Sequence, residues 1–464
     1  MLISGWGRFP VINTRVHTPD SIESAASVIS QTGALSFRGN GRGYGDCSLN
    51  NSAMVSALGL NLFECFDEDS GVLVAGAGVL LSDIVDSFMP RGWFLSVSPG
   101  TCFVSLGGAV ACDVHGKDHH VSGSFINSVE FIDVITPDHG LLRASPDEHA
   151  DLFYATFGGM GLTGMIVRVA IRLKRIYGTS VNQVTTRCAN LKEVMECFEH
   201  GPSWTYSVAW IDCLQRSQRH LGRSLFMGGE FADEGRETGA GLSFSRKKKL
   251  SVPFDFPGFA LNSMSVRMFN SLYFNRITSR QKRALVSWES FFYPLDAIEN
   301  WNRIYGARGF TQYQFVIPKE DAEYRLSAIL KTIASSGQGS FLTVLKLFGG
   351  SNNPGASRAA HDSKVHWDDY EQRNGGMLSF PQEGYTLALD FAIRPDLFAL
   401  LEELDQMVEQ CGGRLYLAKD SRMSERTFQS MYSGHVEHFL KVKKRYDHAG
   451  RINTLQSQRL GLAI

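Results

Sequence analysis

The 464-residue chain has no apolar run near the roughly 18 residues that a membrane span requires. Its start, Met1 to Arg15, lacks the apolar centre of a secretory leader. A cytoplasmic chain is therefore expected, with peripheral membrane contact left open. Net charge is also missing. Lys+Arg 46 against Asp+Glu 47 leaves a formal −1, so no global basic field draws the chain to nucleic acid, and no nucleic-acid partner is expected. The eight cysteines never form a C-x-x-C pair, which argues against a disulfide framework and for small core side chains. There is no G-x-x-x-x-G-K-[ST] loop and no H-E-x-x-H helix. With 43% hydrophobic and 20% charged residues, dominant disorder is excluded and two or three domains fit the length.

Glycine is in excess instead, at 46 residues. Three dense segments precede residue 165. The first is Arg38-Gly39-Asn40-Gly41-Arg42-Gly43-Tyr44-Gly45-Asp46, whose alternating glycines permit turns and free backbone N–H groups for an anion. The second runs from Pro99-Gly100-Thr101 to Leu106-Gly107-Gly108-Ala109-Val110-Ala111-Cys112-Asp113-Val114-His115-Gly116-Lys117. Its small-residue helix start offers a surface against which a flat ring or a diphosphate could rest. The third, Gly159-Met160-Gly161-Leu162-Thr163-Gly164, matches G-x-G-x-x-G but follows a helical stretch and opens a strand, the reverse of a Rossmann loop. His115, His119 and His120 have no cysteine or carboxylate at metal spacing, so no metal site is expected.

Periodicity predicts an α+β chain. Helices are expected from Ile22 to near Gly33, over Leu80 to Val85, and over 191–199, 319–335 and 396–410. Strands are expected at 35–38, 72–77, 129–135, 165–173, 181–187, 205–212, 311–318, 343–349, 385–393 and 414–421. Residues 229–249 and 350–376 read as polar excursions. The Arg246-Lys247-Lys248-Lys249 run in the first reads as a solvated face, with anionic-lipid contact the lesser reading. Gln312 and Gln314 share one face of an otherwise apolar strand, which suggests a polar sugar contact.

The motif R-G-x-G-R-x-Y-G-D, then P-G-T-x-x-V-x-L-G-G-A-x-A-x-D-x-H-G-K-x-H-H and G-G-x-G-L-T-G, resembles the polyprenylphosphoryl-ribose 2′-oxidase family. These are the flavin subunits of an arabinose-donor epimerase, within the vanillyl-alcohol-oxidase/PCMH superfamily. The likeness continues through Trp301 to Gly306, Gln312 to Phe315, Lys346 to Gly349 and Ala418 to Arg422. It implies an FAD-binding domain of two subdomains at 1–176, an α+β substrate domain with an antiparallel sheet at 177–412, and a C-terminal segment, 413–464, returning to the first. It implies a cofactor cradle of Arg38, Gly39, Asn40, Gly41, Arg42, Gly43, Tyr44, Pro99, Gly100, Thr101, Gly107, Gly108, Cys112, His115, Gly116, Lys117, Gly164 and Lys419. Some relatives attach FAD through a histidine in the first loop; Tyr44 stands there, so FAD is expected to be non-covalent.

The resemblance also implies chemistry. Hydride would pass from a ribosyl 2′-carbinol of a polyprenyl phosphate sugar to the flavin, with Lys419 and His115 as the catalytic candidates. Lys117, Gln314, Lys346, Trp210, Thr386 and Phe292 are the candidate substrate contacts. Three departures bear on the exact substrate: Ala388, Thr386 and Phe292 stand where the family pattern has cysteine, asparagine and tyrosine. A separate NAD-dependent keto-reductase is the expected partner, on the family resemblance alone. The competing readings are a carbohydrate or alditol oxidase acting on a soluble sugar, and a flavin-binding subunit without activity.

Overall fold

The computed structural model describes residues 1–233, 242, 246, 250–258, 260–350 and 375–464. The Lys247 to Lys249 run and nearly all of the 350–376 excursion lie outside the described residues. Most expected elements form near their predicted bounds. The first helix, Ile22–Gln31, starts at Ser21, whose hydroxyl accepts from the Ser24 N–H.

The N-terminal part holds a two-stranded sheet, Leu2–Ser4 with Val11–Asn13, and two larger ones. A parallel three-stranded sheet places Ala53–Ser56 between Arg15–His17 and Ser36–Arg38. An antiparallel sheet runs in the order Gly140–Ala144, Val129–Thr136, Met165–Arg175, Val72–Gly76, Phe63–Asp67, with Trp93–Leu95 pairing further along Met165–Arg175. The long strand Met165–Arg175 sets Arg168 and Arg172, four apart, in an otherwise apolar run up to Leu173. Arg168 and Arg172 reach Glu64, Asp133 and Glu130 at the partly exposed face, while the apolar set is buried.

Residues 180–415 build an eight-stranded antiparallel sheet. Its order is Gln281–Ser287, Ser180–Cys188, Ser224–Phe231, Tyr206–Ile211, Thr343–Phe348, Gly384–Ala392, Phe310–Ile317, Arg414–Leu415. Helices Leu191–His200, Ala322–Ser336 and Leu397–Gln410 pack together on this unit. The second buries Leu326, Ile329, Leu330 and Ile333 at helical spacing. The other face of the sheet is left to meet the glycine loops.

The chain then goes back. Ile452 bridges to Leu35, Asn50 Nδ2 donates to Asn453 O at 2.8 Å, and Arg459 pairs with both Asp46 (2.8 Å) and Asp420 (2.9 Å). The Asp420 pair fixes the segment that carries Lys419 beside the first glycine loop.

Several elements were not foreseen, among them the short strands Arg15–His17, Ala53–Ser56, Phe63–Asp67, Trp93–Leu95 and Gly140–Ala144. Ser224–Phe231 and Gln281–Ser287 are strands, and Ser263–Asn275 is a helix with apolar side chains on both faces, which hides its period. The expected strand over 414–421 stops at Leu415. Beyond it the chain turns, with the N–H groups of Lys419 and Asp420 both donating to Tyr416 O. A turn, rather than a strand, presents Lys419. Arg246 is not a solvated charge: it pairs with Asp86 at 2.7 Å and lies 3.6 Å from Glu289. All eight cysteines are free thiols.

Candidate active site

The glycine loops and the open face of the large sheet enclose one cavity of about 690 Å³, inside the range of cofactor and substrate sites. Its first wall is largely backbone. Residues 38–44, 98–101, Ser105, Gly107, Gly108, Ala111 and Cys112 line it, with Gly161 and Gly164 at one side. Gly41 sits at φ 63°, where a side chain would be strained and would run into the Arg38 guanidinium. Ser105 caps the short helix Leu106–Ala111, and Asn40 Nδ2 donates to Phe103 O at 2.8 Å, so the two loops are tied together.

Two half-buried cations stand in this wall. Arg38 donates to Ser4 O at 2.7 Å and to Ser48 Oγ at 3.3 Å; neither partner carries charge. The Arg42 guanidinium lies 4.1 Å from the Trp6 ring centroid, and its Nε is buried without a partner among the described residues. Burial depresses the pKa of both. A backbone-lined cradle with two guanidinium groups that make no ion pair among the described residues fits the diphosphate of a dinucleotide.

The second wall is side chain. Strand Phe310–Ile317 pairs Gln314 with Ala388 and Gln312 with Asp390, while Thr386 lies opposite Lys346 on the next strand. Gln312, Gln314, Thr386, Ala388 and Lys346 all reach the cavity. The Gln314 amide nitrogen is 3.0 Å from His115 Nε2 and 3.3 Å from Thr386 Oγ1, so it donates to both. His115 therefore accepts at Nε2 and carries its proton on Nδ1, which has no partner among the described residues. Burial holds its pKa well below the usual histidine range, with Lys346 adding to the effect. The imidazole is neutral. It is boxed by the rings of Phe348, Phe380 and Tyr416.

Lys419 closes the seam between the walls. Its Nζ stands 3.8 Å over the Tyr44 ring, and Tyr44 N donates to Ala418 O at 2.9 Å. Burial pulls the lysine below its ordinary range and pushes buried Asp390 up; the two oppose each other's shift. Asp390 accepts from Gln312 Nε2 at 2.6 Å and from Tyr305 OH at 3.3 Å. Two further lysines feel the same field. Burial brings Lys346 to about 8 and Lys117 to about 7. Lys117 donates to the carbonyls of Phe291 and Phe292, and its ammonium lies over both rings. Three depressed lysines around one cavity have a standing demand for an anion.

The expected site residues are thus gathered, with one displaced. Gly116 is not in the lining; its close approach is to Ser98 O and the Asp118 carboxylate, where a side chain would collide. Gly164 lines the cavity, and a Cβ there would run into Val134 and Ile135. Trp210 is both wall and core: it lines the cavity, donates from Nε1 to Phe341 O at 2.9 Å and packs against Tyr273. Phe292 reaches the cavity from an aromatic cluster with Phe94, Tyr206 and Phe231. Sequence reasoning passed over Asp390, whose signal was a carboxylate two residues from Ala388 in an apolar strand. It also passed over Asp113, which at φ 40° accepts from Ser124 Oγ (2.8 Å), Ile126 N (3.0 Å) and Ser379 Oγ (2.5 Å), anchoring the loop that carries His115. Among the described residues, no three His, Cys, Asp or Glu side chains could hold a metal ion.

Comparison with known proteins agrees with this geometry. Residues 12–145 match the family model described as an FAD binding domain, the span that holds both cradle loops. The chain is similar, at 33% identity over 99% of its length and 97% of the relative's, to the decaprenylphosphoryl-β-D-ribose oxidase of Mycolicibacterium smegmatis. It is 26% identical over 83% of its length to an uncharacterised Streptomyces coelicolor protein, all of which is covered. Over 21% of its length it is 33% identical to cytokinin dehydrogenase 4 of Arabidopsis thaliana, covering 18% of that protein. From a cradle suited to a dinucleotide and a near full-length match, the conclusion follows that the chain belongs to the FAD-binding oxidoreductase family that includes decaprenylphosphoryl-β-D-ribose oxidase.

Proposed function

We propose that the protein oxidises the 2′-hydroxyl of a polyprenyl-phosphoryl-β-D-ribose to the 2′-keto sugar, with one non-covalently bound FAD. The observation that carries this reading is the side-chain wall: Gln314, Thr386, Lys346 and neutral His115 gathered against Lys419. Amide and hydroxyl groups suit a sugar, and Lys346 suits the phosphoryl group that joins it to lipid. FAD, when bound, supplies the two-electron acceptor for the carbinol hydride.

The chain does the rest. Arg38, Arg42 and the glycine loops hold the diphosphate. Tyr44 offers no histidine for covalent attachment and serves as the platform under the Lys419 ammonium. Gln314 fixes the tautomer of the neutral His115 ring and holds it in the cavity wall. The Lys419 cation favours alkoxide character as the hydride leaves, and the hydroxyl proton passes to solvent. A separate NAD-dependent reductase then returns hydride to the other face of the ketone, completing epimerisation.

Product labelling tests the reading. Turnover of polyprenyl-phosphoryl ribose with an artificial electron acceptor, followed by borodeuteride, should place deuterium at C2′. Deuterium at another carbon, or turnover only of soluble sugars and alditols, would replace the proposal with an oxidase of a different carbohydrate.

A further inference from the structure

The cavity has a far end that the chemistry above does not use. There it is lined by Met227, Tyr273, Arg276, Ile277, Lys282 and Val286. Tyr273 belongs to helix Ser263–Asn275, and Arg276 and Ile277 follow directly. The helix is firmly seated. Asn262 caps it, Asn270 Nδ2 donates to Asp212 at 2.8 Å, and Val266, Asn270 and Phe274 are buried at i, i+4, i+8 spacing.

The opposite row is apolar as well. Met264, Met268 and Leu272, again four apart, are 76%, 63% and 68% exposed. A globular helix ordinarily shows charge there. Between Asp255 and Glu289 the chain has five basic residues, Arg267, Arg276, Arg280, Lys282 and Arg283, all exposed, and no acidic one. An apolar row with basic neighbours is the composition of a helix lying in an anionic lipid interface. An aromatic line also leads inward. Exposed Phe269 stacks on Tyr273 at 5.7 Å, and Tyr273 lies 4.6 Å from Trp210, which is buried on the sheet wall. Arg276 covers Tyr273 at 3.8 Å from its ring centroid.

We infer that helix 263–275 and its basic flank form a docking surface for an anionic bilayer, placing the cavity mouth at the membrane so that a lipid-linked substrate enters along Phe269, Tyr273 and Trp210. The inference rests on the lipid-linked reading for its purpose, while the surface is tested without turnover. It also moves membrane contact away from Arg246, which is held by Asp86.

Co-sedimentation of the holoenzyme with phosphatidylcholine vesicles, with and without phosphatidylglycerol, is the test. The parent should pellet with the anionic vesicles only and be released by high salt. Met264→Ser/Met268→Ser/Leu272→Ser should lower that binding by roughly tenfold or more. Arg267→Gln/Arg280→Gln/Arg283→Gln should do the same while keeping the apolar row, and it decides the matter if the first variant loses its flavin. Equal pelleting with neutral and anionic vesicles, or parental binding by the folded variants, would overturn the surface. So would a parent dimer that the apolar variant dissociates without any change in vesicle binding, since the row would then cover a second copy. Expected vesicle binding, with no flavin reduction by lipid-linked ribose, would leave the surface standing and remove the substrate reading instead.

Discussion

The wall made by residues 38–44 and 98–112 meets the cavity mostly with backbone and small side chains, whereas the wall made by the eight-stranded sheet meets it with Gln314, Lys346, Thr386 and Trp210. The first comes from two short contiguous stretches. The second comes from strands whose neighbours in space are far apart in sequence, ordered by sheet register. The diphosphate of FAD is the same in every protein that binds it and is held well by N–H groups and fixed cations. A sugar must be distinguished from other sugars, which takes side chains. Changes on the two walls should therefore separate cofactor retention from turnover, and loss of the Lys419 charge at the seam should fall on turnover.

The largest effect is expected at the seam. Lys419→Met keeps the apolar stem over Tyr44 but removes the charge, so FAD should remain bound while anaerobic flavin reduction slows by about 10²-fold or more. Stopped-flow absorbance measures this step apart from reoxidation. Parental reduction in a flavin-loaded variant would make Lys419 structural.

On the sheet wall, Gln314→Leu leaves His115 Nε2 buried without its donor and frees the tautomer. A loss of roughly tenfold in kcat/KM, with full flavin content, is expected from that single lost bond. If flavin is lost in proportion to activity, the division between the walls is wrong.

Lys346 sharpens the comparison through pH. Burial lowers its pKa to about 8, so the ammonium is present below that value and is lost as pH rises through it. For a phosphorylated substrate, kcat/KM should fall above pH 8 by up to about tenfold per unit. Lys346→Arg, whose guanidinium stays charged, should move that limb upward. A flat profile through pH 9 would show that the group does not meet the phosphate.

The smallest effects concern attachment of the first loop. An alanine Cβ at Gly45 would land on Asp420 O, on the segment that also carries Lys419. Gly45→Ala should cost about 1–3 kcal/mol, read as a lower melting temperature, and should weaken FAD binding more than it slows reduction of the loaded fraction. In the parent, acid precipitation should release all the yellow colour, because Tyr44 cannot form the covalent link; colour in the washed pellet would point to another attachment residue.

The same contrast explains what the sequence revealed. The glycine wall was legible because a cradle of backbone needs glycines crowded into a short stretch, and those appear as motifs. Gln312 and Gln314 were legible because period two shows which side chains share a face. Their different duties were not: Gln312 holds Asp390, set opposite it by strand register, and Gln314 holds His115, brought in on a loop 199 residues earlier in the chain. The Leu415 to Ala418 alternation imitated a strand because Tyr416 and Leu417 are both buried as the chain turns, so burial no longer marks one face. Helix Ser263–Asn275 escaped because its outer row is as apolar as its inner one.

The most direct test of the account is anaerobic mixing of the yellow protein with polyprenyl-phosphoryl ribose, followed by flavin absorbance. The account predicts bleaching in a single fast phase with the lipid-linked sugar and none with soluble ribose or alditols at equal concentration. Bleaching by the soluble sugars, or a flavin that stays oxidised with the lipid-linked one, would contradict it.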